Sequence, residues 1–223
     1  MPPPQDCFRQ WLVHPNILPV LKQLIGAPPT FECCHAMIKS PHVHRHDPER
    51  REEMLDHANF GWHRGIRPKW GIVESDRKGF LNTTFMNNIT FLTDVEDELD
   101  GGTAVMSGSH VIDHGEGKDG WQPLISSAER ITGIKAGDVV HFTEAMIHSG
   151  VPVLSECTRY TMFYGLTPPW MRTWINSGPD PAIVDSLPDG ELKEILASPH
   201  PYGGQYSKDD SRTRTGRAAA AKL

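Results

Sequence analysis

The sequence lacks the features that mark several large protein classes. Its 223 residues contain no apolar run near the ~20 residues a membrane-spanning helix needs, and its N-terminus has no basic-then-apolar secretory pattern. Positive charge is in deficit: 22 Lys and Arg against 28 Asp and Glu give a formal net charge of -6. A general attraction to nucleic acid or to an anionic membrane surface is therefore not expected. Cysteine is sparse. Cys7, Cys33, Cys34 and Cys157 include no C-x-x-C pair, which argues against a structural zinc site or a disulfide framework. They read as reduced thiols of a cytoplasmic protein, with Cys33 and Cys34 on opposite faces if their segment is a strand. No internal repeat is present. What the chain does have is 20 Gly, 19 Pro and 12 His, with 38% hydrophobic residues, enough for one sizeable core and a single domain over 1–223. Twelve histidines direct attention to metal or acid–base chemistry.

Helical periodicity runs from Pro15 to Ile25, with Gly26 as the C-terminal stop, and a short helix is expected over Glu49–His57. Thr30–Ser40 reads as a strand. The second half is a succession of strands: Gly79–Val95, Thr103–Met106, Ile131–Ile134, Asp138–Phe142 and Arg159–Tyr164. Turn signals at Asp100-Gly101-Gly102 and Ala136-Gly137-Asp138 separate them. Short strands at this spacing suggest a barrel or sandwich. A helix is expected over Asp189–Ala197, and the low-complexity tail from about 205 reads as disordered.

Four elements carry chemistry. They are Trp62-His63-Arg64-Gly65, the run LTDVEDELDGGTAVMSGSH from Leu92 to His110, the run AGDVVHFTEAMIHSG that contains His148, and Arg159 shortly afterwards. In this order they resemble the phytanoyl-CoA dioxygenase-like branch of the iron(II)/2-oxoglutarate enzymes, over about Pro15 to Trp170. The resemblance implies a mainly β fold, a double-stranded β-helix (jelly roll, cupin-like) with flanking helices. It implies His63 and His148 as iron(II) ligands and Arg159 as the anchor for the 2-oxoglutarate carboxylate, with O2 as co-reactant and a small-molecule substrate. It also implies a shortened section before Pro15. These residue types suit the chemistry. Neutral imidazoles bind iron(II) and leave positions open for a 2-oxo acid and oxygen, and a guanidinium fork matches a carboxylate as a Lys does not.

Gly65 is the departure. The family has Asp two residues after the first His, and halogenases of this type have Ala or Gly there, where a halide takes the vacated site. The resemblance therefore implies a catalytic role for Gly65 as the place of a chloride, and chlorination of an aliphatic carbon. Two alternatives stand beside it: hydroxylation, with a carboxylate supplied by Glu74, Asp76 or Asp47, and a non-catalytic binding module. A competing cupin-type metal site is His42, His44 and Glu49, although the glycines that usually flank that motif are absent at Ala36 and Asp56. His110 and His141 are expected to be structural. Asp94, Asp138, Gly108 and Gly150 read as turn or strand-end residues. Trp62, Trp70, Phe85 and Trp170 are candidates for lining a substrate pocket.

Overall fold

The computed structural model describes residues 4–113, 118–171 and 179–197, so the expected disordered tail lies outside the described residues. Nine strands form: β1 (Thr30–Lys39), β2 (Ile72–Glu74), β3 (Leu81–Thr83), β4 (Met86–Phe91), β5 (Thr103–Met106), β6 (Ala128–Ile131), β7 (Val139–Thr143), β8 (His148–Gly150) and β9 (Arg159–Thr167). They make a four-stranded sheet in the order β1-β9-β4-β7, a three-stranded sheet β6-β5-β8 and a small β2-β3 pair. The fold is mainly β, of the jelly-roll type with flanking helices. No helix among the described residues is long and apolar enough to cross a membrane.

By contact density the chain divides into two units. One consists of 1–33 with 166–223, the other of 34–165. In the first, the described helices are Pro4–Trp11, Leu18–Ile25, Pro181–Ser186 and Glu191–Ala197. Leu18, Leu21 and Ile25 fall at helical spacing and are buried. Gly26 ends that helix with φ 74°, donating its N–H to the Lys22 carbonyl at 3.0 Å, the left-handed cap that glycine adopts without a Cβ penalty.

The second unit carries every candidate residue of the site. Strand alternation sorts its side chains. In the antiparallel β4–β7 pair, Asn87 lies opposite Phe142 and Ile89 opposite Val140. Ile89, Phe91, Val95 and Phe142 form a buried cluster, against which Phe163 of β9 packs. The same face continues through Arg159 and Thr161 on β9, four and two residues before Phe163, and onto β1, where His35 stacks on Phe163 with ring centroids 4.6 Å apart. His35, Met37 and Lys39 share that side of β1. In the three-stranded sheet Val105 lies opposite His148, while Ala104 and Met106 face the other way. Phe60 and Val151 cover Ala104, Trp121 and Ile147 cover Met106, and Trp62 packs against both groups.

Boundaries shift where local chemistry intervenes. The expected Gly79–Val95 strand is two, β3 and β4, because the chain turns at Thr84-Phe85, where Thr83 Oγ1 reaches both the Phe85 carbonyl (3.0 Å) and Thr143 Oγ1 (2.6 Å). The strand expected at Ile131–Ile134 lies earlier, at β6, and Ile134 keeps only an isolated bridge to Val95.

Candidate metal and 2-oxo acid site

His63 and His148 are brought together by the backbone. The two residues form an isolated antiparallel bridge beside β8, exchanging His63 N–H to His148 O (3.0 Å) and His148 N–H to His63 O (2.9 Å). Residues paired in this way project their side chains on the same face, and the two imidazole centroids lie 4.3 Å apart. Each ring is fixed by the same device. His63 Nδ1 is 2.9 Å from the Gly61 carbonyl and His148 Nδ1 is 2.9 Å from the Met146 carbonyl. A carbonyl only accepts, so each Nδ1 carries a proton, and Nε2 is the nitrogen that each neutral ring would offer to a metal. This outer-shell arrangement orients metal-binding histidines. No hydrogen bond to either Nε2 occurs among the described residues. His148 is 8% exposed, and burial, partly offset by the Glu144 charge, holds its pKa below the ordinary histidine value. The ring is therefore neutral at physiological pH, the form that binds a metal. Phe142 buttresses it edge-on at 4.6 Å.

The corner beside Gly65 is not empty. Glu144, in the turn after β7, places its carboxylate there. Its Oε2 accepts from the Gly65 N–H at 2.8 Å, and its Oε1 accepts from the Asn87 side-chain amide. A Cβ at Gly65 would fall against Oε2, with the Glu144 carboxyl carbon at 3.0 Å. The expected vacancy for a halide is thus corrected: the missing side chain makes room for a carboxylate from the turn after β7. The candidates from the sequence do not reach it. Asp47 caps the helix Pro48–Leu55, accepting from Glu49 N and Arg50 N. Asp76 pairs with Ser75 Oγ, and Glu74 is on β2, exposed to solvent. As the side chains stand, no three His, Cys, Asp or Glu among the described residues are arranged to hold a metal ion. That applies equally to His42, His44 and Glu49, the cupin-type alternative. His42 and His44 instead lie 5.7 Å apart in a surface loop.

Arg159 opens β9 and is 4% exposed. One guanidinium nitrogen donates to the Gly102 carbonyl, a second lies 3.9 Å from Met37 Sδ, and Nε is buried without a partner. Gly102 can present that carbonyl because its φ is 104°, a conformation reserved for glycine. No carboxylate pairs with Arg159 among the described residues, and burial alone pushes its pKa down to about 10. Lys39, a residue the sequence reading passes over, is the second cation here. Its Nζ lies 3.4 Å from the Val151 carbonyl, and burial, then the Arg159 charge, lowers its pKa to about 8. The signal available in the sequence was the alternation that puts Lys39 in phase with His35 and Met37. Gly150 is a close-approach position, not a turn: a Cβ there would meet Lys39 Nζ at 2.6 Å.

Lys39 gives a pH prediction. With a folded pKa near 8 and a higher unfolded one, the unfolded chain holds more protons between those values. Stability of the free protein should therefore rise with pH from about 8 upwards, as the penalty of a buried ammonium is relieved. Urea melts between pH 7.5 and 9.5 should show that rise, and Lys39→Met should flatten it. An equal rise in the variant would contradict the assignment.

The remaining residues sort readily. His141 bonds Asn88 at 2.5 Å and is structural, as expected. Asp94 accepts from Ala136 N and Lys135 Nζ, and Asp138 from Lys135 N, both holding one turn. Gly108 takes φ 80° in a turn. Trp62 and Phe85 serve packing, and Trp70 and Trp170 are exposed. A cavity of about 290 Å³ is lined by Gly61 and Gly150, each two residues from a site histidine, and by His42, Arg50, Glu53 and Asn59 among others.

No family model and no curated protein matches the chain. Solved structures do share its fold. HygX from Streptomyces hygroscopicus with nickel and 2-oxoglutarate bound aligns at TM-score 0.56 and 14% identity, over 75% of this chain and 69% of HygX. The form with iron bound aligns at TM-score 0.55 and 16% identity, over 75% and 70%. A third form, with nickel, 2-oxoglutarate and hygromycin B, aligns at TM-score 0.56 and 14%, over 75% and 67%.

Proposed function

We propose that this chain is a non-haem iron(II)/2-oxoglutarate-dependent oxygenase acting on a small polar molecule. The observation that carries the reading is the reciprocally paired His63 and His148, both fixed in the tautomer that presents Nε2. Their donor types suit iron(II): two imidazoles on one face, with the Glu144 carboxylate near His148 and His63 exposed to solvent. Iron(II) held there supplies oxygen activation, so that 2-oxoglutarate, O2 and R–H give succinate, CO2 and R–OH. Arg159 supplies a fixed, unpaired fork for the distal carboxylate of 2-oxoglutarate, and Lys39 adds a second positive charge. Phe142 and the buried cluster behind it keep water from the rear of His148. The cavity beside Gly61 and Gly150 offers both signs of charge and amide groups, which suits a polar substrate. HygX, which shares the fold, has been solved with hygromycin B bound.

Chlorination is the second reading, favoured by the glycine at position 65. It requires a chloride where the Glu144 carboxylate now lies, and two anions do not share one corner. Hydroxylation is therefore the reading supported here. Anaerobic addition of iron(II) and 2-oxoglutarate should produce a weak visible charge-transfer band that His148→Ala lacks, and 2-oxoglutarate consumption should be indifferent to chloride. No band in the wild-type protein would favour a binding module without catalysis. A chloride-dependent, chlorinated product would restore the halogenase reading.

A further inference from the structure

We infer that Glu144 is the carboxylate ligand of the metal, replacing from the β7–β8 turn the side chain that position 65 lacks. The inference rests on the iron reading above and deepens it. The ligand set becomes His63, Glu144 and His148, with two of the three on one short turn.

Three observations converge. The first is steric exclusion. The Glu144 carboxylate occupies the space that the first atoms of an aspartate at position 65 would fill, so Gly65 and Glu144 are complementary: either residue 65 bears a side chain or Glu144 enters. The second is positional rigidity. The Glu144 backbone is pinned from both sides, its N–H donating to Phe85 O (3.0 Å) and its carbonyl accepting from Gly65 N (3.1 Å) and Ile66 N (3.3 Å). Thr143 Oγ1 further ties the turn through Ala145 N at 3.2 Å. The carboxylate is thus delivered from a fixed origin to the segment that carries His63. The third is the support around it. Asn87, 8% exposed on β4, directs its side-chain amide at Oε1, as outer-shell donors orient ligating carboxylates. In the free protein the carboxylate rests on the Gly65 N–H. Coordination would exchange that hydrogen bond for the metal. The charge balance is that of a His/His/carboxylate site, so iron(II) carries one protein anion and needs no halide.

Cobalt(II) serves as the probe because its visible bands and its affinity report ligation without turnover. Wild-type protein should bind cobalt(II), and Glu144→Gln should bind at least about 100-fold more weakly with altered bands, since even outer-shell changes cost about 10–100-fold. The double variant Gly65→Asp/Glu144→Ala, which also clears the space that a Cβ at 65 needs, should recover most of the lost affinity by returning the carboxylate to position 65. In wild-type protein, manganese(II) should protect Glu144 from carbodiimide-driven amidation, a measurement that stands even if a variant fails to fold. If Glu144→Gln binds cobalt(II) as wild type does, or manganese(II) leaves Glu144 unprotected while bound, the inference is overturned and the iron reading survives. If wild-type protein binds neither ion, both fall.

Discussion

Arg159→Met should weaken 2-oxoglutarate binding by about 30- to 4,000-fold without lowering the melting temperature of the free protein. The two halves of that result have one cause. Arg159 is almost wholly buried, with an unpartnered Nε and no acidic neighbour among the described residues. An uncompensated buried cation is costly, so an apolar side chain of similar length relieves the free fold. The bound state loses a buried, charge-paired fork, which is worth about 2–5 kcal/mol, and about 1.4 kcal/mol corresponds to tenfold in affinity. Arg159→Lys should recover only part, because an ammonium cannot reproduce the two parallel bonds. Calorimetric titration with 2-oxoglutarate in the presence of manganese(II), together with thermal melts, checks both halves. Unchanged 2-oxoglutarate affinity in Arg159→Met would remove the residue from the site.

The second large effect concerns stability. Phe91→Ala should cost about 3–5 kcal/mol. Phe91 is fully buried between Ile89, Val95 and Phe142, so truncation leaves a cavity that the two flanking strands cannot close. The neighbouring Leu92 is 51% exposed, and Leu92→Ala should stay within about 0.5 kcal/mol. Because Phe142 spans from this cluster to the His148 ring, the Phe91 variant should also loosen metal binding. Urea melts of the two variants compare directly, and equal losses would contradict the packing described.

Much of this arrangement was legible in the sequence. Thr103–Met106 forms over the residues that its Thr-Ala-Val-Met run and flanking Gly pair indicate, and β7 and β9 begin within a residue of the expected positions. Gly26 stops its helix as its type requires. His63, His148 and Arg159 fall in one unit. The pairing of the two histidines is a tertiary hydrogen-bond register, however, and no local pattern encodes it. Glu144 illustrates the difficulty most clearly. Four residues before His148, inside FTEAMIH, it reads as an ordinary turn residue, and its role appears only when β7 brings it against Gly65. Along the chain the candidate substitute carboxylates are those of Glu74, Asp76 and Asp47. The fold supplies one from 79 residues beyond Gly65. Lys39 was overlooked for a similar reason: its charge matters only because β1 places it beside Arg159.

In the proposed function His63 and His148 together hold a metal ion beside a 2-oxo acid. Anomalous diffraction from crystals grown with manganese(II) and 2-oxoglutarate tests it most directly. The account predicts a single strong peak bonded to Nε2 of both His63 and His148, with the distal carboxylate of 2-oxoglutarate on Arg159. A peak between His42 and His44, or a metal that touches neither His63 nor His148, would contradict it.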